Sequence, residues 1–159
     1  MTERLRVDHL NCSLAAALNL VGDPWKLLIL RSIFMGAHRY TDIRRSLGVA
    51  TNVLSNRLAE LAEAQLLGRS GPPRRPVYTL TPASEDLLPA IISLMQWGDR
   101  WLNNGAPPVV LTAGGKPIRP VTLQDAGGGT ISPGDIAIAP GAGAQPETRA
   151  FLKLLHRVQ

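Results

Sequence analysis

Residues 54–81 read LSNRLAELAEAQLLGRSGPPRRPVYTLT. Leucine recurs at positions 54, 58 and 61, the spacing of one buried helix face. Two short strand-like runs follow, LLGRS at 66–70 and VYTLT at 77–81, and they flank GPPRRP at 71–76. The stretch therefore predicts an amphipathic helix running into a tight β-hairpin whose tip carries Arg74 and Arg75. Repulsion between adjacent arginines gains nothing for folding, because a loop tip has few packing partners. Prolines on either side stiffen the tip and limit the entropy lost when it binds something. A charged tip also keeps edge strands soluble, which is the plain alternative.

With Leu54 at the centre of the buried face, at about 100° per residue, Leu58 and Leu61 fall beside it. Asn52, Asn56, Ala59 and Glu63 lie opposite, with Ser55 on the flank. The exposed N-terminal half is thus amide and hydroxyl, and the acidic Glu63 is pushed to the far end. Such a face suits base edges: Asn pairs bidentately with adenine, and the hydroxyls of Ser55 and Thr51 can serve bases or phosphates.

Upstream, CSLAAALNLVG has helical spacing and ends at Gly22, and DPWKLLILRSIFMG follows with Asp23 as N-cap and Pro24 at the first helical position. Its run from Trp25 to Met35 is apolar nearly all round, as in a buried central helix. GAHRY reads as a turn, TDIRRSLG as a short helix closed by Gly48, and residues 49–65 as a helix capped by Thr51. The short helix, turn and amphipathic helix are the core of a helix-turn-helix. Thr81 and Pro82 open a long helix to about Asn103, in which Pro89 should produce a bend or a free carbonyl. Beyond Pro108, VVLT, IRPVTLQ, TIS and DIAIAP read as short β pieces separated by glycine-rich turns. The last segment reads as an amphipathic helix with Phe151, Leu152, Leu155 and Val158 on one side.

The chain has 159 residues and a formal net charge of +5. Residues 1–80 carry 11 Lys or Arg against 6 Asp or Glu, while residues 81–159 carry 6 against 6. The positive excess therefore lies entirely in the first half, which favours a polyanionic partner there. The single Cys12, with His9, His38 and His156 scattered, has no metal-site spacing. No cofactor is indicated. Neither a long apolar run nor a signal-peptide core is present, so a cytoplasmic protein without a membrane partner is expected. No nucleophile–base pair, phosphate-binding loop or paired carboxylates mark an enzyme.

Several of these pieces occur together in a known order. Cys12, the Gly-x-x-Trp segment GDPW, RYTDIRRSLG, VLSNRLAEL and YTLT resemble the HxlR-type winged helix-turn-helix regulators of bacteria, over about residues 12–101. The fold expected is mainly α with a small β-wing, a winged helix-turn-helix, plus a C-terminal β-rich appendage. Residues 1–105 form the expected DNA-binding and dimerisation domain, and residues 106–159 the extension. The resemblance implies a homodimeric, non-enzymatic transcription factor on double-stranded DNA, with repression the default and an inverted repeat as the site. Dimerisation is expected through the first helix and the long helix after the wing. Residues 51–64 become the recognition helix, 71–76 the wing tip, and Arg39, Arg44 and Arg57 candidate backbone contacts. In the helical projection Arg57 sits near the buried flank, which suits a phosphate or an intramolecular partner better than a base.

The candidate DNA-binding set is thus Arg39, Arg44, Thr51, Asn52, Ser55, Asn56, Arg57, Arg74 and Arg75. Family members often sense oxidants or electrophiles through a cysteine near the N-terminus, and Cys12 takes that place, preceded by Arg4, Arg6 and His9. Its inert alternative is a buried cysteine at a helix start or dimer interface. The cysteine-containing tail pattern of longer members is absent, which excludes thiolate zinc binding there. The competing reading is a dimeric module for a small-molecule effector or a protein partner, with Phe34, Met35, Leu94, Met95 and Trp97 lining an apolar pocket.

Overall fold

Asp23 and Pro24 begin the central helix. In the computed structural model, which describes residues 10–155, Asp23 Oδ1 accepts the Trp25 amide at 2.9 Å. Pro24 opens helix α2 (Pro24–Phe34), where its missing N–H costs nothing. Ile29, Leu30 and Ile33 of this helix are almost inaccessible, as an apolar run on nearly every face requires. Gly36 ends it with φ 99°, and the Gly36 and Ala37 amides donate to the Ile33 and Ser32 carbonyls, both at 2.9 Å. A left-handed glycine here satisfies carbonyls that the helix leaves open.

Helix α1 (Ser13–Val21) precedes α2, and helices α3 (Tyr40–Leu47) and α4 (Thr51–Glu63) follow it. Gly48, at φ 60°, stops α3 and turns the chain. Leu54, Leu58 and Leu61 are buried as the periodicity predicts, and join Ile43, Val49 and the α2 residues in one core. Each buried leucine contributes about 1.5–3 kcal/mol by leaving water. The hairpin is also as expected: β1 (Leu67–Ser70) pairs antiparallel with β2 (Val77–Leu80), with Leu67 opposite Leu80 and Ser70 opposite Val77. Residues 38–39, expected only as part of a turn, add a third edge: the Tyr78 amide donates to the His38 carbonyl at 2.9 Å, and Arg39 bridges to Val77. The Thr81 hydroxyl donates to the Gln65 carbonyl at 2.8 Å and closes the hairpin base.

Two boundaries differ from the sequence reading. Thr51 is the first helical residue of α4, not its cap; Ala50 holds the cap position without a side-chain bond. Val49 is only 5% exposed, and its insertion into the core fixes the turn one residue earlier. The long helix after the wing is two helices, α5 (Pro82–Glu85) and α6 (Leu88–Trp101). Pro89 lies in the first turn of α6, where it has no amide for the Glu85 carbonyl, so the helix breaks instead of bending.

The chain divides into two compact units, Leu20–Val121 and a second that joins Met1–Asn19 to Thr122–Gln159. The expected boundary near 105 thus does not coincide with the division. Residues up to Val121 stay with the winged unit because Gln96 holds them: its side chain donates to the Arg119 carbonyl at 3.2 Å and accepts the Val121 amide at 2.8 Å. Within that segment β3 (Thr112–Ala113) pairs with β4 (Lys116–Pro117).

Among the described residues of the second unit the β character is confined to one bridge, between Gln124 and Thr130, around a turn in which Asp125 Oδ1 accepts the Gly127 and Gly129 amides at 2.8 and 2.9 Å. DIAIAP forms no strand, and its Ile136 and Ile138 are exposed. Helix α7 (Pro146–Leu155) closes the described chain. Asn11 Oδ1 accepts from the Gln145 amide at 2.9 Å and the Thr148 hydroxyl at 3.0 Å, which satisfies donors at the start of α7. Val158 lies outside the described residues. Among those residues no single helix is long and apolar enough to cross a membrane.

Candidate nucleic-acid interface

The polar face of α4 is on the surface. Thr51, Asn52, Ser55, Asn56 and Ala59 are all exposed, because the three leucines on the opposite side hold the helix against α2. Tyr40, at the start of α3, ties itself to this face: its hydroxyl donates to the Thr51 carbonyl at 3.1 Å and lies 3.3 Å from the Ser55 hydroxyl. The turn between α3 and α4 borders a cavity of about 450 Å³ lined by Tyr40, Thr41, Arg44, Arg45 and Gly48.

On the other side of Tyr40, a cavity of about 690 Å³ lies between the start of α3 and the wing. Arg39, Arg69, Arg74 and Arg75 line it, with Thr41 and Tyr78. The tip is braced from within. Arg39 Nη1 donates to the Arg75 carbonyl at 2.9 Å, Arg69 Nη2 to the Pro73 carbonyl at 3.3 Å, and the Arg75 amide to the Pro72 carbonyl at 2.9 Å. Gly71 supplies the φ of 84° that the tip requires. Among the described residues the guanidinium groups of Arg44, Arg45, Arg74 and Arg75 make no hydrogen bond or ion pair. Four unpaired cations thus flank an amide and hydroxyl surface, a disposition suited to a polyanion read through its edges.

The structure brings together Arg39, Arg44, Thr51, Asn52, Ser55, Asn56, Arg74 and Arg75 from the sequence-derived set. It withdraws Arg57. Half-buried, Arg57 pairs through Nε with Asp23 Oδ2 at 2.9 Å and through Nη1 with Glu60 Oε1 at 2.6 Å, so it is an intramolecular partner and not a free backbone contact. Sequence reasoning missed Tyr40, Thr41, Arg45 and Arg69. Arg45 and Arg69 were visible as further cations in the basic half, but no local pattern tells a linking Tyr40 from an ordinary helix-start aromatic.

Cys12 immediately precedes α1; its carbonyl accepts the Ala16 amide at 3.0 Å, and it is an exposed free thiol. It lines a cavity of about 480 Å³ with Leu10, Asn11, Ser13, Pro140, Thr148 and Leu152. Arg4, Arg6 and His9 lie outside the described residues. No group of His, Cys, Asp and Glu suited to a metal occurs among the described residues. Of the five residues considered for an apolar pocket, Phe34, Met35, Leu94 and Trp97 are exposed, and only Met95 packs against the core.

A helix-turn-helix followed by a braced two-stranded wing defines the winged helix-turn-helix class. The chain belongs to the HxlR-like helix-turn-helix family of transcriptional regulators, whose pattern it matches over residues 20–106. It is 46% identical over 103 residues to Rv3095 of Mycobacterium tuberculosis and to Mb3122 of Mycobacterium bovis, each described as an HTH-type transcriptional regulator. The match covers 62% of this chain and 65% of each relative, so the chain spans just under two thirds of their length. Two solved structures described as candidate transcription factors have the same fold. PA1607 has a TM-score of 0.70 at 28% identity, covering 82% of this chain and 95% of its own. PA1374 of Pseudomonas aeruginosa has a TM-score of 0.61 at 32% identity, covering 88% and 99%.

Proposed function

We propose that this protein is a sequence-specific double-stranded DNA-binding regulator of transcription, a repressor acting as a homodimer on an inverted repeat. The observation that carries this reading is the juxtaposition of the exposed α4 face (Asn52, Ser55, Asn56) with Arg44, Arg45, Arg74 and Arg75, none of which is neutralised by a neighbouring carboxylate. Asn52 and Asn56 read base edges, Thr51 and Ser55 serve bases or phosphates, and the arginines of α3 and the wing hold phosphates on either side. Two such helices related by a two-fold axis enter successive major grooves about 34 Å apart. Leu14 and Leu18 of α1, and Leu94, Trp97 and Trp101 of α6, are exposed apolar side chains at helical spacing, which supports these helices as subunit contacts.

Cys12 is the proposed point of response to oxidants or electrophiles, since its thiol is accessible and stands beside a cavity large enough for a small effector. The experiment is a selection of genomic DNA fragments by the purified protein, run with and without a thiol oxidant. Recovery of an inverted repeat supports the reading, and its loss on oxidation gives Cys12 its role. No enrichment in either condition, at low salt as well, favours the small-ligand or interaction module.

A further inference from the structure

Arg57 and Lys26 are cations of the winged unit that are withdrawn from the surface and paired with carboxylates. Lys26 is 5% exposed. Its Nζ donates to the Leu20 carbonyl at 2.8 Å and pairs with Glu60 Oε2 at 2.9 Å. The other oxygen of Glu60 takes Arg57 Nη1, and Arg57 Nε reaches Asp23. Asp23 in turn caps α2 through its second oxygen. One directional chain therefore runs from Leu20 through Lys26, Glu60 and Arg57 to Asp23, and it grips α4 at two positions one turn apart.

We infer that this chain is a clamp that sets the rotation of the recognition helix, and that Arg57 and Asp23 are positioning residues for DNA sequence discrimination. The inference rests on the proposed DNA-reading role of α4. The leucine stripe pulls α4 onto α2, but apolar burial is non-directional and tolerates a small roll. With a radius of about 5–6 Å including side chains, a roll of about 15° moves a side-chain tip by about 1.5 Å. That displacement breaks a hydrogen bond from Asn56 to a base edge. Charge pairs withdrawn from water add little net stability, and fixing register is their best-attested use. Arg57 is the immediate neighbour of Asn56 and stands two residues from Ser55, so the clamp acts at the level of the reading face.

The test uses the full chain with Arg57→Gln, Asp23→Asn, both together, and Arg57→Lys. Asparagine keeps an oxygen for the Trp25 amide, so Asp23→Asn removes the ion pair and leaves the α2 cap. Binding to the selected operator duplex and to a scrambled duplex is followed by fluorescence anisotropy over a range of KCl. Each single variant is expected to lower the operator-to-scrambled affinity ratio about tenfold, one lost base contact, with scrambled binding and salt slope unchanged. The double variant is expected to be no worse than either single one, and Arg57→Lys to recover part of the ratio. An equal loss on both duplexes, with the salt slope reduced by about 0.9, makes Arg57 a phosphate contact and overturns the clamp. An unchanged ratio overturns it too. Amide hydrogen exchange separates the two readings if wild-type protein selects no duplex: the clamp requires faster exchange in Thr51–Glu63 with α6 unaffected, and uniform or unchanged exchange sinks it independently of DNA.

Discussion

The Tyr40 hydroxyl donates to the Thr51 carbonyl at 3.1 Å, so the first residue of the helix-turn-helix's first helix is fastened to the first residue of its second. The same hydroxyl reaches Ser55 one turn further on. Between the two helices lie only Gly48, Val49 and Ala50, and Val49 is held in the core. Tyr40 also lines both basic cavities, one at the turn before α4 and one beside the wing. Tyr40→Phe keeps the ring and removes the link. It is expected to cost about 1 kcal/mol of stability in urea unfolding, the net worth of one hydrogen bond, and to weaken operator binding more than scrambled-duplex binding.

The wing and the reading helix should separate experimentally. Replacing Arg74 and Arg75 by Ala is expected to weaken binding on all duplexes and reduce the salt slope by about 1.8, two phosphate contacts. Asn56→Ala is expected to leave that slope intact while narrowing the operator-to-scrambled ratio by about 1–3 kcal/mol. Anisotropy titrations at several KCl concentrations read both quantities. If neither change affects the operator complex, the assignment of wing and reading helix is wrong.

Trp97 is 55% exposed on α6, an unusual place for a large aromatic on a monomer surface. Trp97→Asp puts a charge where the proposed subunit contact needs an apolar side chain. Sedimentation velocity should show the wild-type dimer shifted toward monomer, with circular dichroism unchanged. A wild-type protein that sediments as a monomer at high concentration removes the homodimer from the proposal.

Cys12→Ser is expected to bind the operator as the parent does under reducing conditions and to retain it when a thiol oxidant or electrophile is added. The parent should release it. Mass spectrometry of the treated parent should find the adduct or intersubunit disulfide at Cys12. Equal behaviour of the two proteins under oxidant leaves Cys12 without a sensing role.

Gly48 turns the chain from α3 toward α4 at φ 60°, and a Cβ added there meets nothing within 4 Å. Gly48→Ala therefore tests backbone conformation alone. Its expected cost is about 1–2 kcal/mol, the left-handed penalty of an L-residue, read as a lower urea midpoint with an unchanged m-value.

Much of the winged unit was legible because its signals are local. Asp23–Pro24 names a helix start whatever surrounds it, Gly48 a helix stop, and leucine at 54, 58 and 61 a buried face. The exposed partners of that face, Asn52, Ser55 and Asn56, followed from geometry alone. Pro89 predicts a bend or a free carbonyl, and in the structure the helix is interrupted between Glu85 and Leu88. Thr51 was read as a cap and proved to be the first helical residue, because the burial of Val49 outranked local capping chemistry. The tail was the least legible. Alternating apolar residues such as Ile136 and Ile138 suggest strands, yet a strand needs a second strand to pair with, and spacing along the chain does not say whether folding supplies one.

The sequence by itself determined the helices, the hairpin, the leucine stripe, the basic half and the family, since each depends on spacing along the chain. Only the tertiary structure decided which cations are free. The helical projection leaves Arg57 open to a phosphate or an intramolecular partner, and folding decides between them by bringing Asp23 and Glu60 to Arg57 and no carboxylate to Arg74. A charge is neutralised by what lies within a few ångströms of it, and for Arg57 the decisive carboxylate of Asp23 is 34 residues away along the chain.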